Sequence, residues 1–226
     1  MNVKLISYTP DPEKVVAFSA NLCYSITNID ETVNKFYNRS EIERLIKLLI
    51  SKNHFSPFEH VSFTFGIEGI SRVTSHQLVR HRIASYSQQS QRYVKYSNKN
   101  FDYVIPYSIK NSQFLNEYID YIEKGQQLYN KFIENGIPKE DARYIFPNST
   151  MTNIIATFNA RSLFNFFELR CCMHAQWEIR NLAYRMLKLV KEVAPNIFEN
   201  AGPTCFRGYC RESDKNCPFY KQKLEE

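Results

Sequence analysis

Glycine is scarce in this 226-residue chain, at 6 residues. That excludes a collagen-like repeat and a flexible glycine linker. No G-x-G-x-x-G turn and no G-x-x-x-x-G-K loop is present, so a bound phosphate must be held largely by side chains. Tryptophan is scarcer still, at 1. Long apolar runs are missing. A spanning helix needs about 20 apolar residues, and the longest charge-free window near that length, 144–160, is broken by Pro147, Asn148, Ser149, Thr150, Thr152 and Asn153. The N-terminus runs from Met1 to Thr9-Pro10-Asp11-Pro12 with no apolar core and no small-residue cleavage pattern, unlike a secretory signal. The expectation is a cytoplasmic chain with no membrane partner, its 6 cysteines reduced.

Aromatic side chains are plentiful, with 15 Tyr and 17 Phe beside 43 % apolar and 23 % charged residues. Those are globular proportions. A chain of this length buries roughly 70 % of its unfolded surface and needs no covalent staples. Lys and Arg number 29 against 23 Asp and Glu, a net charge of +6. The excess favours anionic partners without choosing between nucleotide, nucleic acid and lipid headgroup.

Periodicity predicts an α+β fold: a single mixed domain with long helices and a small, mainly antiparallel sheet. Residues 3–7 alternate as a short strand, and 11–23 have helical spacing after a proline entry. Ser40 and Glu43 read as a capping box opening a helix with Ile42, Leu45, Ile46 and Leu49 on one face. Residues 61–68 and 151–158 read as strands. Residues 71–82 have helical spacing, with Val73, Gln77, Arg80 and His81 on one side. The polar run 85–97 has no clear period, and 103–106 reads as a short extended piece. A long amphipathic helix runs from Phe114 to Phe132. Gly136 stops it, and Pro138 starts a short helix that ends by Pro147. Residues 162–171 and 175–193 are helical, and the tail after Pro195 is irregular.

The densest constellation is residues 80–93. Three cation-capable residues, Arg80, His81 and Arg82, precede hydroxyls and amides and then Arg92. Successive helix residues point about 100° apart, so the three cannot all face one ligand atom. They either surround a ligand or form a solvated basic helix end favoured by the macrodipole. Arg170 ends the apolar stripe Leu163, Phe166, Phe167. A guanidinium there either meets an anion, snorkels, or pairs with Glu168 or Glu178. Asn159, Arg161 and Asn165 gather at a strand-to-helix junction suited to a phosphate or a planar polar ring. His54, Glu59 and His60 match no trusted metal spacing. A turn presenting Ser56 and Glu59 to a ligand is the preferred reading, with no metal expected.

Arg80-His81-Arg82, seven residues and then Ser90 resemble the signature of the flavin-dependent thymidylate synthases. Residues 54–60 are similar to that family's segment before the signature. Glu140-Asp141-Ala142-Arg143 leading to Pro147 resembles its middle element. Asn159 to Leu163 with Asn165 and Arg170, then residues 174–179, resemble its C-terminal block.

The resemblance implies a homotetramer with FAD sites at the subunit contacts. It implies reductive methylation of dUMP to dTMP, with 5,10-methylenetetrahydrofolate as carbon donor and NADPH as reductant. Ser56, Glu59, Arg80, His81, Arg82, Gln88, Asn159, Arg161 and Asn165 would contact FAD. Gln77, Arg80, Gln88, Gln89, Ser90, Arg92, Arg143 and Arg170 would hold dUMP. Arg170 would be the catalytic group, favouring N3-deprotonated uracil, and Ser90 a ligand contact rather than a nucleophile. Many members carry Asn-Glu where this chain has Ser87-Gln88, and Cys23 stands where some have Ser. By the same reading, residues 1–200 form the catalytic domain and 201–226 an irregular tail.

Cys205, Cys210 and Cys217 are spaced Cys-x4-Cys-x6-Cys, unlike a zinc-finger or ferredoxin pattern. Cys171 or Cys172 could add a fourth thiol only if the tail folds back. Two rival readings stand beside the flavoenzyme. One is a nucleic-acid module stacking bases on Arg92-Tyr93-Val94-Lys95-Tyr96, which the small net charge disfavours. The other is a metal hydrolase on His54, His60 and the tail thiols, which the spacing disfavours.

Overall fold

A computed structural model describes residues 1–24, 26, 28–34, 38–94 and 101–219. Strand β1 (Asn2–Tyr8) precedes helices α1 (Pro12–Tyr24), α2 (Ile29–Asn34) and α3 (Arg39–Ser51). Strand β2 (Ser62–Ser71) runs into α4 (Arg72–Leu78), followed by β3 (Ala84–Gln88), α5 (Tyr107–Lys110), α6 (Leu115–Glu134) and α7 (Lys139–Ala142). Strand β4 (Met151–Asn159) continues directly into α8 (Ala160–Arg170), then α9 (Trp177–Val193) and α10 (Pro195–Phe198). The strands form one small antiparallel sheet in the order β1-β2-β4-β3, so the α+β expectation holds. The Thr64 and Thr157 hydroxyls meet at 2.9 Å, and Gly69 N–H donates to Asn153 Oδ1 at 3.2 Å, which fixes the β2–β4 register.

Several local expectations are corrected. The capping box of α3 is Asn38 with Glu41, not Ser40 with Glu43. Asn38 Oδ1 accepts from Glu41 N–H at 2.9 Å, and Glu41 Oε2 accepts from Asn38 N–H at 3.1 Å. Ser40 lies inside the helix and donates to Asn38 Oδ1 at 2.6 Å, while Glu43 pairs with Lys47 at 2.8 Å. Asn caps as well as Ser, and the capping-box pattern recurred two residues earlier. Helix α4 ends at Leu78 rather than Arg82. Its cap is Ser71, its buried residues are Thr74, Ser75 and Leu78, and Val73 is 41 % exposed. Tyr86 O–H donates to the Leu78 carbonyl at 2.9 Å, engaging the last turn where the chain leaves the helix. Residues 84–88 form a strand inside the polar run, and α2, α5 and α10 were not expected, the last lying where the chain after Pro195 was read as irregular. All are short, with no sustained apolar period to announce them.

The described residues fall into two compact units. Unit 1 takes the described residues of Met1–Asn2, Ile67–Arg80 and Tyr86–Ile155. Its core holds Tyr129 and Ile122 of α6 with Phe101, all buried. Phe146 packs 4.6 Å from the Tyr129 ring and 4.9 Å from that of Phe101. Buried Gln126 accepts from Phe101 N–H at 2.9 Å, giving a buried backbone donor its partner. Gly136 follows α6 at φ 79°, a left-handed conformation that a side chain would strain.

Unit 2 takes the described residues of Val3–Gly66, His81–Ser85 and Ala156 onward. Its core is a phenylalanine cluster. Phe198 lies 5.4 Å from Phe63 and 6.0 Å from Phe167, and Phe158 lies 5.7 Å from Phe166. Each such pair adds about 0.5–1.5 kcal/mol beyond area burial. Helix α9 buries Ile179, Leu182, Ala183, Met186 and Val190 at helical spacing against this core. The tail does fold back: Arg207 pairs with Glu168, Arg211 lies 3.4 Å from Glu168, and His174 lies 3.0 Å from Asp214. Cys172 therefore lines one small cavity, about 40 Å³, with Cys205, Cys210 and Cys217. All 6 thiols are free. Among the described residues no group of three His, Cys, Asp or Glu side chains is arranged to hold a metal.

Candidate active site

Most of the side chains expected at a flavin belong to unit 2. Ser56–His60 is a short 3-10 turn with Pro57 in its first turn. Pro57 and Phe58 are buried, and Phe55, Phe58 and Phe164 pack with centroids 5.3–6.0 Å apart. The apolar members thus pin the turn, and Ser56 and Glu59 are left exposed. Glu59 forms an ion pair with Arg161 in the first turn of α8. Asn159 caps that helix, its Oδ1 accepting from Ser162 N–H at 2.8 Å. Its placement thus follows first from the backbone. Asn165 projects from the exposed side of α8.

The residues of the Arg-His-Arg run diverge. Arg80 and Arg82 are exposed, whereas His81 is buried at 6 % exposure. The run begins just past the Val79 cap of α4, so only exposed Arg80 stands at the helix end, while His81 turns inward. His81 packs edge-on against Phe166, centroids 4.9 Å apart. Its Nε2 accepts from Arg170 Nε–H at 2.8 Å. Burial, and then the adjacent Arg170 charge, bring the imidazole down from 6.5 to about 4. Arg170 is half-buried at the C-terminal end of α8. Glu168, one carboxylate expected to meet it, accepts from Arg207 instead of standing alone.

The remaining side chains expected at a nucleotide belong to unit 1. Gln77 is half-buried on α4. Gln88 Nε2 donates to Thr152 Oγ1 at 3.3 Å, leaving its amide oxygen as an acceptor. Gln89 is held through its backbone, its N–H donating to the Asn153 carbonyl at 2.9 Å and its carbonyl accepting from Arg72 Nη2 at 3.1 Å. Ser90 Oγ accepts from Arg92 N–H at 3.2 Å, a local turn contact. Arg92 reaches Glu140 with two nitrogens, Nε at 3.0 Å and Nη2 at 2.9 Å. Arg143 Nε donates to the Glu140 carbonyl at 3.0 Å. Two arginines 51 positions apart in sequence thus meet at one residue. Glu140 and Arg72 received no role from sequence reasoning. Glu140 lies in a recognised motif, but its pairing with Arg92 has no local signal; nothing in the sequence marks Arg72. Of the Arg92–Tyr96 stretch, Lys95 and Tyr96 lie outside the described residues.

A groove of about 780 Å³ in unit 2 is lined by Lys47, Phe55, Asn196, Glu199, Phe206 and Arg207 among others. It contains none of the expected site residues, so volume alone points away from the residue chemistry. Its cations are already compensated: Lys47 lies 2.8 Å from Glu43 and 3.4 Å from Glu199, and Arg207 pairs with Glu168. No described helix is long and apolar enough to cross a membrane.

A family model described as "Thymidylate synthase complementing protein" matches residues 4–196. The chain is 49 % identical to the flavin-dependent thymidylate synthase of Clostridium tetani, over 96 % of this chain and 93 % of that protein. It is 49 % identical to that of Geobacter sulfurreducens, over 96 % and 94 %. It is 45 % identical to that of Pyrococcus horikoshii, over 100 % and 96 %.

Proposed function

The chain belongs to the flavin-dependent thymidylate synthase family, and from that premise we propose how its own residues carry the reaction. The activity is the reductive methylation of dUMP to dTMP, with 5,10-methylenetetrahydrofolate as carbon donor, NADPH as reductant and FAD as cofactor. Its ligands are small molecules. The proposal extends to a cytoplasmic homotetramer whose sites take residues from neighbouring subunits. It also takes 1–200 as the catalytic domain and 201–226 as a tail, supported by a family match that ends at residue 196.

The donor set of unit 2 suits FAD. Arg82 and Arg161 offer exposed cations, Asn159 and Asn165 offer amides, and Ser56 offers a hydroxyl. With Arg80 they would grip a diphosphate, and Glu59 and Gln88 would meet its polar arms, without a glycine-rich turn; His81, turned inward, would back this set rather than grip the cofactor. Bound FAD supplies the hydride chemistry, which belongs to the cofactor rather than to any side chain here.

For dUMP the set is Gln77, Arg80, Gln88, Gln89, Ser90, Arg92, Arg143 and Arg170. The convergence of Arg92 and Arg143 on Glu140 is the observation that carries this reading. An exposed ion pair is worth only about 0.2–1 kcal/mol. A phosphate dianion can therefore take over the Arg92 fork, which is bidentate by geometry, at little penalty. Gln88 brings a hydrogen-bonding amide without negative charge. Arg170 would stabilise negative charge on the uracil ring when N3 loses its proton. Ser90, engaged with the Arg92 backbone, has no base set against it and acts as a binding contact.

The test is direct. Purified protein should be yellow, should bleach with NADPH under anaerobic conditions, and should form dTMP from dUMP only when methylenetetrahydrofolate is present. Protein that stays colourless after incubation with FAD, or that turns over without folate, defeats the proposal.

A further inference from the structure

In the Arg80-His81-Arg82 run the two arginines are exposed and the histidine is turned inward. What the inward ring touches is specific. Phe166, fully buried, meets it edge-on at 4.9 Å with an interplanar angle of 87°. Its Nε2 accepts the Arg170 Nε–H at 2.8 Å. An imidazole accepts at Nε2 only as the neutral ring with its proton on Nδ1. Burial and the guanidinium charge beside it both favour that neutral form.

Arginine is a planar fork on a flexible stem. A hydrogen bond at Nε fixes the plane in which both Nη groups lie. The acceptor here is itself immobilised by Phe166, which is packed against Phe158 and Phe167 at 5.7 Å each. A rigid aromatic core is thereby coupled through one ring nitrogen to the guanidinium. We propose that His81 is the positioning residue for Arg170: its neutral imidazole sets the guanidinium plane so that the Nη edge meets the uracil ring. This rests on the reading of Arg170 as the group that stabilises the deprotonated ring. It gives the central residue of the Arg-His-Arg run a task other than contact with the flavin. A small tilt of a charge-stabilising donor is enough to lose much of its effect.

Two substitutions separate positioning from bulk. In His81→Gln the side-chain amide oxygen can occupy the place of Nε2; in His81→Asn it reaches only the place of Nδ1. The FAD-loaded proteins are compared for flavin content by visible absorbance, for melting temperature, for dUMP affinity and for kcat. H81Q is expected to keep kcat within about threefold of the parent, and H81N to lose at least about tenfold, with flavin content equal in both. H81N is also expected to cost nothing further on an Arg170→Ala background, because one interaction is removed twice. Equal kcat in H81Q and H81N overturns the proposal. So does a flavin content that falls in H81N in step with turnover, since the ring would then serve the cofactor. Full penalties that multiply in the double variant overturn it as well. Normal turnover in Arg170→Ala alone defeats the underlying reading and takes the proposal with it. An inactive Arg170→Ala beside a fully active H81N defeats only the positioning role.

Discussion

His81 is held neutral in the native state, with its ionisation brought from 6.5 to about 4 chiefly by burial. The unfolded chain therefore binds a proton between those values that the native chain does not. Stability is fully present above about pH 6.5 and is lost as pH falls toward 4, by up to about 3 kcal/mol from this one ring. Urea melts at pH 7 and pH 4.5 should show that loss, and H81Q should remove that histidine's share of it. An unchanged difference would place the pH dependence elsewhere. Arg170→Ala should keep flavin and lose roughly a hundredfold or more in turnover, the scale for removing one donor to developing charge. Arg92→Ala should raise the dUMP dissociation constant roughly ten- to a hundredfold while flavin content stays constant. Loss of flavin in that variant would show that the division of labour between the arginines is wrong.

At the scale of elements, the tail belongs to unit 2 through the buried residues 201–205 and Cys217 and through a few charged contacts. Glu168 of α8 receives both Arg207 and Arg211, and its pair with Arg207 is mostly buried, side chains 16 % and 18 % exposed. Removing one partner of such a pair leaves a desolvated charge uncompensated. Glu168→Ala should therefore loosen the tail. The readout is the rate of thiol modification at Cys205 and Cys217, which are 8 % and 7 % exposed. Labelling at the parent rate would sink the clamp. Cys171 serves as the internal control, because it is fully buried and burial pushes its thiol up to about 12. Periodicity located α1, α3, β2, α6, β4, α8 and α9 because each has one apolar and one polar face. It misplaced the α3 cap because Asn38 and Ser40 both open a capping pattern. It missed β3 because Ser85, Ser87 and Gln88 are polar and the strand alternates only between half-buried and exposed positions, with no buried apolar face to mark it.

For the whole molecule, the assembly prediction is a mass near four times 26.7 kDa in solution. Light scattering on the FAD-loaded protein checks it, and a flavin-saturated, active monomer would exclude shared sites. The sequence by itself determined the α+β class, the family and the inventory of candidate ligand groups. Those properties reside in periodicity and in residue types at fixed spacing, both local along the chain. Tertiary structure alone decided which groups meet. Arg92 joins Arg143 at Glu140, and His81 turns inward to Arg170, 89 positions away. It likewise carried the tail back to Glu168. Such pairings depend on how far-apart segments pack, and a charge, a ring or a thiol carries no mark in the sequence of the partner it will meet.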